Sequence, residues 1–251
     1  MNLLNEIETI RKGNKKAVLC IIVQTKGSTP RKVGAKMIVK EDGSILGTIG
    51  GGNLEKTVIE NGLQQIKKNE AKLYKHDLLH QHSMCCGGSV EIYIEPIQKM
   101  NKLYIFGAGH TGNSLAKIAA DMNFDIYVID DRKDYLNDIN SEGINKMSLD
   151  YKKVLPSLPF DKNTYIVIMT YEHSHDRDIL SYCIKQPYAY LGMIGSERKV
   201  KLTKKMFTEG KLATKKELDK VDMPMGIDIN AEGPEEIAIS ILAKLIAIKN
   251  G

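Results

Sequence analysis

The sequence points to an α/β protein in two parts, the first a small mixed domain and the second built on a mainly parallel sheet. Three observations carry this. An apolar run over residues 103–106 ends in Gly107-Ala108-Gly109-His110-Thr111-Gly112, and a helical pattern follows at once through Leu115, Ile118, Ala119 and Met122. A second apolar run, 126–129, stops at Asp130-Asp131-Arg132, completing the strand, glycine turn, helix, strand and acid order of a dinucleotide-binding unit. A third run, 164–170, is apolar on both faces, as strands of buried parallel sheets are. The second domain is therefore expected to be Rossmann-like, over residues 101–251. A smaller mixed α/β domain is expected over residues 1–97, with Pro96 to Asn101 as the join.

Taken in order, residues 2–12 carry Leu3, Leu4, Ile7 and Ile10 on one helical face. Residues 17–25 form a buried strand by composition. The stretches 36–40 and 44–49 alternate about Glu41-Asp42-Gly43, which is a hairpin signal. Gly50-Gly51-Gly52 then opens a helix through Leu54, Val58, Leu63 and Ile66, and strands follow at 72–78 and 89–95. In the second half, residues 150–155 read as a short helical turn, 176–185 as a helix and 188–193 as a strand. Ser196 is placed to N-cap the basic helix that comes next. Pro234 with Glu235 and Glu236 marks the start of a last helix whose core face is Ile237, Ile241, Leu245 and Ile248.

Composition bounds the function. At 251 residues, 42% hydrophobic and 27% charged, the chain is long enough to bury its own core without disulfides. No apolar run approaches the roughly 20 residues of a membrane span, and no signal-peptide apolar segment opens the chain, so the expected compartment is the cytoplasm. The net charge of +5 sits in the first part: residues 1–99 hold 15 Lys and Arg against 10 Asp and Glu, and the rest hold 21 of each. That excess suits an anionic ligand or an acidic partner, and equally a solvated lysine face. Trp is absent and Phe numbers four, so the aromatic platform of a nucleic-acid binder is missing.

Several loops have the chemistry of anion sites. Gly107 permits a tight turn, Gly109 lets backbone approach a pyrophosphate, and Gly112 lets helix and strand pack closely, while Asp130 stands where a carboxylate takes ribose hydroxyls. His110 sits in the first helical turn, beside a ligand phosphate or at the surface, and Arg132 leaves open which phosphorylation state of the ribose is preferred. In the first domain, Ser28, Thr29 and Arg31 of the run Gly27-Ser28-Thr29-Pro30-Arg31 offer hydroxyls and a cation to an oxyanion. Gly50, Gly51 and Gly52 before a helix can form a nest of N–H groups, with Glu55 close behind. Between the last two strands lies His80-Gln81-His82-Ser83-Met84-Cys85-Cys86-Gly87-Gly88. Structural zinc is disfavoured, because a second pair of ligands is missing elsewhere. A reactive thiolate fits better, since Gly87 and Gly88 leave N–H groups that lower a thiol from about 8.5 to near or below 7. Cys20 and Cys183 lie in apolar runs and are expected to be buried. His173 and His175 follow a strand's C-terminal end, where open α/β sheets bind ligands, and Gly195 and Ser196 follow the next strand.

These loops, in this order, resemble the xanthine dehydrogenase accessory protein family, XdhC/CoxI. The matching stretches are Gly27 to Arg31 with Gly34, Gly47-Thr48-Ile49-Gly50-Gly51-Gly52 with Leu54-Glu55, Cys86-Gly87-Gly88, Gly107 to Gly112, Asp130-Asp131-Arg132, Thr170 with His173 and His175, Ile194-Gly195-Ser196 with Arg198-Lys199, and Gly226-Ile227-Asp228-Ile229 with Pro234-Glu235-Glu236-Ile237. Gly233 departs from the threonine usual before that proline, and Cys85 is extra to the pattern. The resemblance implies a cytoplasmic maturation factor for molybdenum hydroxylases, a chaperone rather than a turnover enzyme. It would bind the molybdenum-pterin cofactor (molybdopterin), support its sulfuration with a cysteine desulfurase, and insert it into the apo-enzyme of xanthine dehydrogenase type. It allows a homodimer. Cys86 would then ligate molybdenum or pass sulfur, and the Rossmann site would hold the pterin or a dinucleotide such as NAD(P) or FAD. Two rivals stand beside this reading. One is an NAD(P)-dependent oxidoreductase using His110, His173 or His175 as acid or base. The other is a redox-sensing dinucleotide-binding protein using Cys85 and Cys86.

Overall fold

A computed structural model describes residues 2–82 and 87–251, and the chain divides into two compact units, Met1–Lys99 and Met100–Gly251. The first unit runs α1 (Leu3–Lys12), β1 (Ala17–Lys26), β2 (Lys36–Lys40), β3 (Ile45–Gly47), α2 (Gly52–Lys68), β4 (Lys72–Asp77) and β5 (Ser89–Pro96). Its five strands pair antiparallel in the order β3-β2-β1-β5-β4. Alternation assigns the faces. Val18, Cys20, Ile22, Met37, Val39, Ile92 and Ile94 pack with Leu54, Val58 and Ile66 of α2. Ala17 and Ile38 meet Ile10, Leu3 and Ile7 of α1 on the opposite side. Gly62 lets α2 close on the sheet, since a Cβ there would stand 3.0 Å from Val18 Cγ2 and 3.2 Å from Val39 Cβ. The β2–β3 turn forms as its sequence demands: Asp42 Oδ1 accepts from the Ser44 N–H at 2.9 Å and from its hydroxyl at 2.6 Å.

The second unit runs β6 (Asn101–Phe106), α3 (His110–Ala119), β7 (Phe124–Ile129), α4 (Lys133–Asn137), β8 (Ile144–Met147), α5 (Tyr151–Val154) with a 3₁₀ turn at Leu155–Ser157, β9 (Thr164–Ile168), α6 (His173–Cys183), β10 (Tyr190–Met193), α7 (Glu197–Glu209), α8 (Lys215–Leu218) and α9 (Gly233–Asn250). All five strands are parallel, in the order β10-β9-β6-β7-β8, which is the Rossmann arrangement. Leu103, Ile105, Val128 and Val167 face Leu115, Ala116 and Ala119 of α3 and Ala238, Ile241 and Leu245 of α9. Tyr104, Phe106, Ile129, Ile166 and Ile168 face Val154, Ile179, Leu180 and Cys183. Order reverses between β6 and β9, and the loops after these two strands open there together.

Cys20 and Cys183 are wholly buried and free, and burial pushes the Cys20 thiol up to about 12. Both serve as small apolar core residues. The structure corrects one boundary. His173 and His175 are expected from the sequence in a loop, but they occupy the first turn of α6, three residues before the expected start. Among the described residues no helix is long and apolar enough to cross a membrane.

His76 of β4 and His82 are both buried, and their rings meet through Nδ1 and Nε2 at 3.1 Å. Burial first, and the neighbouring His82 second, push the His76 imidazole down to about 4, and His76 Nε2 has no hydrogen-bond partner among the described residues. The folded state thus holds fewer protons than the unfolded chain between pH 6.5 and about 4, so stability falls as pH drops through that window. We expect the urea midpoint of the first unit to fall steadily over that range. His76→Gln should flatten the slope, and an unchanged slope would remove His76 as its cause.

Candidate functional site

In the first unit three loops converge. Ser28 forms a bridge with Gly87, and a Cβ on Gly88 would collide with the Ser28 and Lys26 carbonyls. A Cβ on Gly50 would stand 2.6 Å from Pro30 Cγ, and Asn53 Nδ2 donates to the His82 carbonyl at 3.3 Å. Gly88 is therefore where backbone meets backbone, and Gly50 is where the chain passes the Pro30 ring. Thr29 donates its hydroxyl to Arg31 O at 2.9 Å, closing its own turn, while Ser28 and the Arg31 side chain are exposed. The candidate thiol Cys86, with Ser83, Met84 and Cys85, lies outside the described residues. Among the described residues no group of three or more His, Cys, Asp or Glu side chains is placed to hold a metal ion.

The nest at Gly50, Gly51 and Gly52 forms, with φ of +140°, +81° and +62°, and it already faces an internal anion. Glu55 Oε1 accepts from the Thr48 hydroxyl at 2.5 Å and from the Ile49 N–H at 3.1 Å. Burial works against this carboxylate, but the Thr48 hydroxyl and the N–H groups of Gly51, Ile49 and Gly50 outweigh it and hold Glu55 below the usual carboxylate range. Glu55 is thus the nest's own occupant rather than a residue reaching outward. Its contribution is present above the ordinary carboxylate pKa of about 4.3 and is lost as pH falls through the lower folded value. Glu55→Gln should cost about 1–2 kcal/mol at pH 7, read as a lower urea midpoint, with the gap to wild type closing below about pH 4. A gap that persists there would mean packing rather than charge.

In the second unit the glycine turn fits its expected steric duties. Gly107 has φ +113° and a Cβ on it would collide with Met169 O, while a Cβ on Gly112 would collide with Gly107 O. A Cβ on Gly109 would meet nothing within 4 Å, so that backbone is open to a ligand. The turn borders a cavity of about 340 Å³, lined also by His110, Thr111, Arg132, Tyr135 and Tyr171. His110 is exposed at its rim.

Asp130 requires a correction. Its carboxylate is fully buried, and its acceptor capacity is filled within the protein. Oδ2 takes the Ala108 N–H at 2.7 Å and Arg132 Nη2 at 2.8 Å, and Oδ1 takes the Arg132 N–H and Nε, both at 2.9 Å. It ties the glycine turn to the end of β7 and leaves nothing for ribose hydroxyls. Burial opposes its charge, but these bonds hold the carboxyl below its ordinary range. Arg132 in turn packs against two rings, its guanidinium carbon 4.0 Å from the Tyr135 centroid and 4.1 Å from that of Tyr171. The Tyr171 hydroxyl reaches Asp131 Oδ2 at 3.0 Å and His175 Nε2 at 3.2 Å.

Across the switch point, Asp176 is fully buried. Its Oδ1 takes the Thr170 N–H at 2.9 Å and hydroxyl at 2.7 Å, and its Oδ2 takes Lys199 Nζ at 2.8 Å, with His173 Nδ1 3.6 Å away. A Cβ on Gly195 would stand 2.8 Å from Lys199 Cδ, so this glycine lets the lysine stem pass. Ser196 caps α7 by accepting the Lys199 N–H at 3.3 Å. Beyond lies a second cavity of about 460 Å³, lined by Ile194, Gly195, Gly226, Ile227, Ile229 and Ile237 among others. Ile194 belongs to both cavities. The two cavities therefore adjoin at Ile194, and the second also carries the polar side chains of Glu197, Asp228 and Ser240. Sequence reasoning missed Tyr135 and Tyr171 in the lining of the glycine-turn cavity, and Asp176 and Lys199 as the pair that holds Thr170 beside it. Tyr171 and Asp176 stand in the stretch that carries His173 and His175, but Lys199 gives no local signal of its partner.

Comparison with known proteins follows the same division. Residues 103–245 match the model described as the XdhC Rossmann domain, and residues 10–77 match that of the XdhC and CoxI family. The uncharacterized protein YqeB of Escherichia coli (strain K12) is 33% identical over 256 residues, covering 100% of this chain and 47% of that protein. The chain thus spans about half the length of this relative. A Bacillus subtilis (strain 168) protein, described as a probable xanthine dehydrogenase component, is 23% identical, over 96% of this chain and 95% of that one. A crystal structure from Bacillus halodurans, described as a xanthine dehydrogenase, superposes with a TM-score of 0.54 at 21% identity, covering 99% of this chain and 96% of that chain. At that identity it speaks for the fold alone.

Proposed function

The chain belongs to the XdhC and CoxI family, and we propose that it is a maturation factor for a molybdenum hydroxylase of xanthine dehydrogenase type. In this reading it binds the molybdenum-pterin cofactor, supports its sulfuration together with a cysteine desulfurase, and hands it to the apo-enzyme. The observation that carries the reading is the glycine-turn cavity. Its Gly109 backbone is open, no Asp or Glu lines it among the described residues, and a guanidinium, an imidazole and hydroxyls do. Those donors fit the phosphate groups of a pterin cofactor or of a dinucleotide, and we assign this cavity to such a ligand. Cys86 is the candidate for the metal or sulfur end, because a soft thiolate suits that chemistry. The desulfurase and the apo-hydroxylase are the partners this role requires.

The test is anoxic reconstitution. Apo-hydroxylase is mixed with molybdenum cofactor, with and without the purified chain, and activation is followed beside direct binding of the cofactor to the chain. Saturable binding and faster activation support the role, and Cys86→Ala should weaken the metal-dependent part. Absence of binding together with unchanged activation would remove it.

A further inference from the structure

We propose that Arg132 is the seat of a phosphate monoester carried by the ligand of the glycine-turn cavity, in the place where a Rossmann site usually presents a carboxylate to ribose hydroxyls. The inference rests on the assignment of that cavity to a phosphate-bearing cofactor made above, and names which end of it is read and how.

The residue expected to read the ribose cannot do so. Asp130 has no exposed surface and accepts four protein donors. Its work is to present Arg132. Two bonds from the side chain, through Nε and Nη2, fix the guanidinium edge-on, and the Tyr135 and Tyr171 ring centroids lie 4.0 and 4.1 Å from its central carbon. The remaining nitrogen, Nη1, has no protein partner among the described residues, and Arg132 lines the cavity with a side chain 28% exposed against 0% for Asp130. The ion pair is therefore polarised, with its carboxylate buried and its cation toward the cavity. With one guanidinium edge tied to Asp130 and two rings packed against the group, little side-chain entropy remains to be lost when an oxyanion binds the free edge. Arg132 follows β7, one strand beyond the glycine turn, where the adenosine ribose of a dinucleotide lies when its pyrophosphate sits on that turn. A cation there accommodates a 2′-phosphate and has no use for a bare 2′-hydroxyl. Two sources share this chemistry: the 2′-phosphate of an adenine dinucleotide, and the terminal phosphate of the pterin cofactor.

Equilibrium binding to the full chain distinguishes them. The probes are NADPH, NADH, 2′,5′-ADP, 5′-AMP and the molybdenum cofactor. If the source is the ribose, NADPH and 2′,5′-ADP bind at least about 10-fold more tightly than NADH and 5′-AMP, the scale of one charge-assisted bidentate contact. If the source is the pterin, the cofactor binds and the nucleotide pairs show no such ratio. The ratio in the first case, and at least about 10-fold of cofactor affinity in the second, is lost in the double variant Asp130→Asn/Arg132→Met, which avoids stranding a buried charge and is checked for folding by circular dichroism. The wild-type NADPH to NADH ratio needs no variant. NADPH and NADH binding equally, with cofactor binding unchanged in the double variant, would overturn the role of Arg132 while leaving the cavity a cofactor site. Binding of none of the probes would overturn both.

Discussion

Gly112→Ala should strongly destabilise the second unit. Gly112 lies in the first turn of α3, and its Cα faces the Gly107 carbonyl so closely that any Cβ overlaps that oxygen and would also stand 3.5 Å from Met169 Sδ. Relief requires moving α3 off β6, and α3 is the element against which α9 packs at Ala238, Ile241 and Leu245. Overpacking at a rigid backbone contact costs several kcal/mol, and we expect about 3–5 kcal/mol here, or roughly 10 °C in midpoint for a unit of this size. Gly109→Ala is the control. Its φ is −61° and its Cβ would meet nothing within 4 Å, so its cost should stay within about 1 kcal/mol, the difference between glycine and alanine at an N-cap. Thermal unfolding of the two variants separates steric packing from general intolerance at the turn. Equal losses would show that crowding at Gly107 O is not the cause.

Lys199→Met should be nearly as damaging, for an electrostatic cause. It removes the ammonium 2.8 Å from Asp176 Oδ2 and leaves a carboxylate with no exposed surface, supported only by Thr170 and the more distant His173. An uncompensated buried charge costs about 3–5 kcal/mol, and the two Thr170 bonds place our expectation near the lower end, about 3 kcal/mol. Lys199→Met/Asp176→Asn should recover most of it, because a neutral amide can keep the Thr170 bonds. A double-mutant cycle would then give an interaction of about 2 kcal/mol. Additive losses in that cycle would mean that the pair is not a strut of the fold. The same cycle bears on the site, since Asp176 fixes Thr170 at the mouth of the glycine-turn cavity.

How much of this is readable beforehand differs by residue. The runs at 17–25, 89–95, 103–106, 126–129 and 164–170 become β1, β5, β6, β7 and β9, because a strand buried on one or both faces must repeat apolar residues at its own period. The glycine turn is legible for the same local cause: a positive φ and two close approaches admit no other residue. β8 is not legible. Ile144-Asn145-Lys146-Met147 is a polar edge strand, and it forms by pairing with β7 rather than by its own pattern. The residue types at the candidate site are legible as well, whereas their duties are not. Local sequence suggests a ribose acceptor at Asp130 and an open cradle at the glycine nest. Both carboxylates instead face inward, because Ala108 lies 22 residues from Asp130 and Thr48 lies 7 from Glu55, and only folding brings donor to acceptor. Lys199 and Asp176, 23 residues apart, make the same point. Periodicity and steric necessity are written into neighbouring residues. Which buried charge meets which partner depends on contacts between distant ones, and that is settled only when the sheet is assembled.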